Sequence, residues 1–509
     1  MPARSRRASH AGRLVAAMPS FDPWLACAVA AEVAAAGCAD ASGLAALRAP
    51  RLAELVKTAA SRSPFYARLL ADHRSGTVRL TDLPIMRKRE LMAHFDDWVT
   101  DPDLRLEGLR LFVSDPASIG VPYKGRFTVW ESSGSSGEPC IFVQDLKAMA
   151  VYDALEALRR PSLQPLRRWI DPWYLGERIA FVGATNGHFA STVSLARLKG
   201  LNPALAGRLH SVSFLQPMPQ LVEELNKIAP TIIATYPSAA VLLTEELLAG
   251  RLTIPAQEIW TGGEDLSDAT RRFLQASFHC PVSNSYGASE FLSLAFECPL
   301  GHLHLNSDWA ILESVDDEGH AVPCGTAGAT VLLTNLANHL QPLIRYDLGD
   351  RVTLHADPCS CGSHLPVIDV QGRCDDTIEL GRAPGRIVSL LPLALSTILE
   401  CEAGLFDFQL VQEGPCELLL RTGLRDAEAV AALERGRSAL EAFLHGQGAR
   451  GIHIRCRSAE SGLCGRSGKL QRVIAGPTDR LRRHHEESPL KPRRDRSPAG
   501  LRSSRSPTA

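Results

Sequence analysis

From Arg178 to Phe278 the chain alternates short β-rich runs with helical stretches: Arg178–Val182, Leu221–Ala229, Thr231–Thr235, Ala239–Leu248, Gln257–Trp260 and Asp268–Phe278. Few architectures tolerate that alternation. Apolar residues at period two followed by apolar residues at period 3.6 predict an α/β sheet with helices packed on its faces. The preceding hundred residues read as helical, with Leu52, Leu55, Val56 and Ala59 on one face before the turn-like Ser61-Arg62-Ser63-Pro64. Between Ala327 and Val370 strands follow one another without helices, at Ala329–Leu333, Pro342–Tyr346 and Val367–Val370, and predict a smaller β subdomain.

After Gly372 the pattern resets to a helix at Leu393–Glu400, strands at Phe406–Gln412 and Glu417–Arg421, a helix from Asp426 to about Leu444, and a strand at Ile452–Cys456. That is a second α+β unit large enough for its own core. The expected organisation is an N-terminal extension with helical lead-in (1–50), a large α/β domain (51–373), a small mobile C-terminal lid domain (374–476) and a disordered basic tail (477–509).

Charge narrows the function. The net charge of −1 combines nine Lys/Arg against four Asp/Glu from Pro477 onward, four Arg without an acid in the first twenty residues, and a body carrying −10. So acidic a body disfavours broad contact with polynucleotide phosphates. No apolar run is long enough to span a bilayer, since the best candidate, Leu25 to Gly37, is interrupted by Glu32. Thirteen cysteines, an odd number, suit a reducing compartment better than a disulfide framework. The expectation is a cytoplasmic protein that binds neither nucleic acid nor membrane.

Five stretches carry chemistry. Ser132-Ser133-Gly134-Ser135-Ser136-Gly137 offers hydroxyls and turning backbone N–H groups that suit polyphosphate, without the Gly-Lys-Ser/Thr of a Walker loop. Tyr286-Gly287-Ala288-Ser289-Glu290 follows a β-like run and delivers an aromatic face, a hydroxyl and a carboxylate to one rim. Ile344-Arg345-Tyr346-Asp347-Leu348-Gly349-Asp350 and Gly372-Arg373-Cys374-Asp375-Asp376 put carboxylates and arginines beside glycines, and Gly468-Lys469-Leu470 lies near the C-terminus. Taken singly, each is compatible with an ordinary turn.

Together with Gly262-Gly263-Glu264, these motifs run in the order found in the adenylate-forming superfamily of acyl-CoA synthetases and adenylation domains, and the chain resembles its phenylacetate–CoA ligase-like branch over roughly residues 50–475. The resemblance implies ATP-dependent activation of a carboxylic acid to an acyl-adenylate, followed by transfer to a thiol. By position, it implies that Ser133, Gly134, Ser135, Ser136 and Gly137 cradle phosphates and that Gly263 and Glu264 lie near the adenine. It further implies Tyr286 against the base, Ser289 on phosphate, Glu290 on Mg²⁺, Asp350 on the ribose hydroxyls, Arg373 on the nucleotide and Asp375 as the hinge. Lys469 would bridge the attacking carboxylate and the phosphates, lowering repulsion between two anions.

Two departures stand out. Glu138 occupies the loop position where the family has lysine, and Gly381-Arg382-Ala383-Pro384-Gly385-Arg386 replaces a short turn beside the pantetheine tunnel. The acceptor is therefore CoA or, as the alternative, the phosphopantetheine of an acyl carrier protein; a non-catalytic nucleotide-binding homologue is a reading of another class. Candidate walls for the acid lie at Trp173-Tyr174, Gly187-His188-Phe189 and Thr235-Tyr236-Pro237, suggesting an aryl or small hydrophobic acid, with Tyr236 and His188 as pocket residues. Cys298, His304, Cys359 and Cys361 have the residue types of a closed, structural zinc site, with His302 and His364 as rival ligands. A homodimer is compatible with the sequence.

Overall fold

The computed structural model describes residues 21–71, 79–132, 140–172, 174–185, 187–371, 378–381, 387–405, 407–458 and 472–476. The architecture is mixed α/β, with the expected helical lead-in. Asp22 caps the helix Pro23–Gly37, Asp40 the helix Ala41–Arg62 and Ser63 the short helix Pro64–Leu69, each side chain accepting from a first-turn N–H. Leu55 and Ala59 are fully buried, with Leu52 and Val56 packed beside them. Among the described residues no helix is long and apolar enough to cross a membrane.

The principal sheet has nine strands, in spatial order Arg351–Leu354, Val367–Gln371, Leu303–Leu305, Phe291–Glu297, Val282–Ala288, Glu258–Gly262, Ile232–Thr235, Ile179–Gly183 and Leu209–Ser213. The last five are parallel, and the first four add antiparallel pairings. The chain passes from Ile179–Gly183 outward to Leu209–Ser213 and then returns to the other side at Ile232–Thr235. This reversal leaves a crevice at the carboxyl ends of those strands, where open α/β sheets bind ligands.

In the β region two of the expected strands are placed differently. Arg351–Leu354 and Val367–Gln371 extend the edge of the main sheet, while Ala310–Val315, Thr330–Asn335 and Tyr346–Asp347 form a three-stranded sheet. Strands lacking intervening helices pair with whichever edge is open, so the expected small β unit is the three-stranded sheet, and the strand expected at Val367–Val370 joins the main sheet instead. The strand expected at Pro342–Tyr346 shrinks to Tyr346–Asp347 because Arg345 has φ +50 and breaks the extended backbone.

Among the described residues, the buried apolar side chains fall into three large clusters. One joins the helical lead-in to Trp130, Phe142, Phe291 and Tyr346; a second fills the space between the parallel strands and helices Met218–Ile228 and Pro237–Leu248. The third gathers Ile378, Leu399, Leu410, Leu420 and Leu440 in the C-terminal α+β unit. There a four-stranded sheet carries helices Pro392–Cys401 and Asp426–Gly446. Leu391 and Ala394 also pack into the second cluster, and Gln447 Nε2 donates 2.5 Å to Leu215 O, so the C-terminal unit is docked on the parallel half of the sheet.

Candidate active site

The site is built first by the hairpin Val282–Ala288/Phe291–Glu297. Its register shifts between Tyr286 and Ala288, and this bulge re-aims the residues of the turn. Gly287 is required by close approach, since a Cβ there would lie 2.0 Å from the backbone oxygen of Leu292. The Tyr286 hydroxyl donates to Asp350 Oδ2 at 2.8 Å, and the Tyr346 hydroxyl donates to Glu290 Oε1 at 3.1 Å. The turn backbone is held from two sides, Trp130 Nε1 donating to Ser289 O at 2.8 Å and Asn335 Nδ2 to Glu290 O at 2.9 Å.

Three segments distant in sequence thus meet at one rim. Burial holds the Glu290 carboxyl above the usual carboxylate range, with the Asp350 charge adding to the effect. The Tyr286 phenol is pushed well above its ordinary value by burial and then by the Asp350 charge, so it stays protonated and donates. Two neighbouring carboxylates in a half-buried setting fit a hard divalent cation such as Mg²⁺, which would relieve the charge that burial penalises.

Across the crevice, Gly263 has φ +78, and a Cβ there would stand 2.8 Å from the Tyr236 ring. Glu264 reaches back to the helix Pro237–Leu248, accepting from Ser238 N and Ser238 Oγ, each at 2.9 Å. The carboxylate sits at a helix N-terminus, where its charge is favoured. Tyr236 packs edge-on against Phe214 at 5.9 Å, and its hydroxyl bonds Ser191; burial and then the Glu264 charge push the phenol up to about 12. Gly263, Glu264 and Tyr236 therefore form one wall.

His188 and Tyr174 are placed differently. His188 is 1% exposed, its Nε2 lies 2.9 Å from Ser118 Oγ, and its carbonyl accepts from Glu131 N at 2.8 Å. Burial lowers its pKa, so it is neutral and ties the strand Thr128–Glu131 to the loop before helix Ala190–Leu201. Tyr174 packs on Trp260 and Arg168 beside the Arg168–Glu177–Thr231 cluster, at the amino-terminal ends of the strands. It is therefore at the wrong end of the sheet to line the crevice.

Ser133, Gly134, Ser135, Ser136, Gly137, Arg373, Asp375 and Lys469 lie outside the described residues, as does Trp173. The residues flanking the phosphate loop are described: Ser132 N donates to Cys140 O at 2.9 Å, and Cys140 N to Ser132 Oγ at 3.1 Å. Sequence reasoning passed over Trp130, Tyr152 and Asn335, which brace the rim. No local signal marks them, because their partners are brought near only by the fold.

A second cluster joins Cys298, His304, Cys359 and Cys361, whose ligand atoms all lie within 4.8 Å of one another. Cys298 Sγ is 4.0 Å from Cys359 Sγ, and Cys361 Sγ is 3.4 Å from His304 Nε2. A tetrahedral zinc site has S···S edges of about 3.8 Å, so the donor set fits. His304 Nδ1 donates to Leu365 O at 2.7 Å, which leaves Nε2 as the acceptor facing the thiols. His302 Nδ1 is also 3.2 Å from Cys359 Sγ but is more exposed than His304, which is fully buried.

No family model matches the chain. It is 25% identical over 374 residues to the phenylacetate-coenzyme A ligase of Thermus thermophilus, covering 70% of this chain and 75% of that one. A shorter similarity, 25% over 135 residues, links 26% of the chain to 28% of the protein CapK of Staphylococcus aureus. Among solved structures, 2-hydroxyisobutyryl-CoA ligase in complex with its adenylate, 2-HIB-AMP, and CoA in the thioesterification state superposes with a TM-score of 0.53 at 21% identity, covering 89% of this chain and 94% of that one.

Proposed function

We propose that this chain, which has the adenylate-forming CoA-ligase fold and is homologous to a phenylacetate–CoA ligase, activates a carboxylic acid with ATP and passes the acyl group to the thiol of CoA. The observation that carries this reading is the convergence of Tyr286, Glu290 and Asp350 on one rim through the Tyr286–Asp350 and Tyr346–Glu290 bonds. A substrate carboxylate oxygen attacks the α-phosphorus of ATP, the bond to pyrophosphate breaks, and the acyl-adenylate forms. The thiol sulfur then attacks the acyl carbon and AMP leaves with the bonding electrons.

In this reading Asp350 accepts from the ribose hydroxyls, an arrangement suited to a vicinal diol. Tyr286 lies against the base, Ser289 and the loop residues Ser133, Gly134, Ser135, Ser136 and Gly137 meet phosphate, and Gly263 with Glu264 flanks the adenine. Glu290 holds Mg²⁺, whose charge offsets that of the phosphates. Lys469 approaches in the first step, Arg373 contacts the nucleotide, and the C-terminal unit turns about Asp375 between steps. Tyr236 bounds the acid pocket, which favours an aryl or small hydrophobic acid; His188, enclosed with Ser118, acts on that pocket through packing. Cys298, His304, Cys359 and Cys361 hold a structural zinc ion.

The test is Mg²⁺-dependent ATP–pyrophosphate exchange against a panel of aryl, fatty, hydroxy and amino acids. Exchange with one acid class supports the reading; binding of ATP without exchange for any acid overturns it in favour of a nucleotide-binding homologue. Offering the active acid with CoA and with a phosphopantetheinylated carrier protein identifies the acceptor.

A further inference from the structure

The short helix Pro165–Ile170 is the wrong way round for a surface helix. Its two arginines reach inward, whereas Leu166 is 84%, Trp169 85% and Ile170 79% exposed. These three apolar residues stand at i, i+3 and i+4, so they share one face. Leu175, in the turn that follows, is exposed as well.

The underside of the helix is fixed by polar contacts. Arg168 Nη2 and Arg167 Nε each donate to Glu177 Oε1 at 2.5 Å, and Glu177 Oε2 accepts from Thr231 Oγ1 at 2.5 Å. Just before the helix, Gln164 Nε2 donates to Gln257 O at 2.9 Å; just after it, Asp171 accepts from Leu175 N and Gly176 N at 2.8 and 2.7 Å. Tyr174 turns the chain with φ +55, and the Arg168 guanidinium lies 3.9 Å from its ring centre. Rolling the helix to hide its apolar face would pull Arg168 from the buried Glu177 carboxylate, which is strongly unfavourable. The apolar face is therefore held toward solvent, where a partner can cover it.

We propose that this face is the contact between two copies of the chain, related by a two-fold axis. Leu166, Trp169 and Ile170 expose on the order of 500 Å² of largely apolar surface, and two such faces set together withdraw on the order of 1,000 Å² from water, the size at which a specific interface begins. One patch serves both copies, as a two-fold contact requires. The net charge of −1 leaves little repulsion between them. A lipid surface is less favoured, because both arginines of the helix are committed to Glu177 instead of meeting headgroups. Glu177, Thr231 and Gln257 each stand just before a parallel strand, so the contact lies at the end of the sheet opposite the crevice and leaves both crevices open. This inference does not rest on the ATP-dependent reading.

The experiment is sedimentation equilibrium of the full chain over a concentration series, with the unmodified chain expected to form a dimer. Trp169→Glu and Ile170→Glu are each expected to raise the dimer Kd at least about thirtyfold, the loss of a central anchor. Leu111→Glu, at an exposed apolar residue of the helix Leu106–Val113, should leave the Kd within about twofold. Circular-dichroism melts establish that each variant is folded, and Trp169→Gln replaces Trp169→Glu if the added charge unfolds the chain. An unmodified chain that stays monomeric at every concentration overturns the proposal, as does a dimer that the patch variants leave intact or that Leu111→Glu weakens equally. A monomer that cosediments with phosphatidylcholine–phosphatidylserine vesicles, and is released from them by Trp169→Glu, overturns it in favour of a lipid surface.

Discussion

The hydroxyl of Tyr286 donates to Asp350 across 64 residues of sequence, at 2.8 Å, and so joins the bulged hairpin to the turn after Tyr346–Asp347. Asp350→Ala removes both this tie and the proposed ribose acceptor. The expected result is a rise in KM for ATP of about ten- to hundredfold in pyrophosphate exchange, with Tyr286→Phe giving a smaller rise. An unchanged KM in Asp350→Ala would remove the residue from the nucleotide site.

Gly287 admits no side chain, because its Cβ would strike the Leu292 carbonyl at 2.0 Å. Gly287→Ala forces the bulge to open and should lower unfolding free energy by roughly 3 kcal/mol. Urea denaturation measures this directly. Exchange activity should fall further than stability does, since the same shift moves Ser289 and Glu290.

Glu131 is pushed up to about 7, first by burial and then by the Glu400 charge on the C-terminal helix Pro392–Cys401, where Glu400 pairs with Arg472. Its folded pKa is raised above the ordinary carboxyl value of 4.5, so the neutral form is favoured on folding. Stability from this group is complete below about 4.5 and is lost as pH rises through about 7. Glu131→Gln should match the unmodified melting temperature at pH 5 and exceed it at pH 8. A constant difference across that range would refute the linkage.

Metal analysis of the purified chain should find about one zinc ion per molecule, the stoichiometry of a closed four-ligand site. Cys361→Ser should lose that ion and lower the melting temperature, while His302→Ala retains it. Zinc retained by Cys361→Ser and lost by His302→Ala would exchange the ligand assignments.

Lys469→Ala should reduce exchange by about a hundred- to thousandfold, in line with loss of one residue that stabilises transition-state charge. Transfer from preformed adenylate to CoA should continue, because that step forms no new contact between anions at the α-phosphate. Parallel loss of both half-reactions would assign Lys469 a different role.

Much of the fold was legible locally. The run from Asp268 to Phe278 is a helix with the expected bounds, and Ile232–Thr235 and Glu417–Arg421 are strands where the period-two runs stand. Local backbone preference and apolar period act over a few residues, so a sequence displays them directly. The two-strand contribution of Arg351–Leu354 and Val367–Gln371 to the main sheet was not visible, since edge pairing depends on which neighbour is uncovered. His188 shows the same limit: its residue type suits a pocket, yet enclosure by Ser118 and Phe112 makes it a neutral packing group.

The order of the motifs, the acidic body and the Cys/His set were determined by sequence, because they depend only on residue identity and spacing. Tertiary structure decided which of those groups meet. It brought Asp350 to Tyr286, Tyr346 to Glu290 and the ligand atoms of Cys298, His304, Cys359 and Cys361 within 4.8 Å of one another. Hydrogen bonds act only at contact distance and charge interactions weaken as the separation grows, so the chemistry of a site belongs to distances between segments, which burial of the shared apolar core fixes.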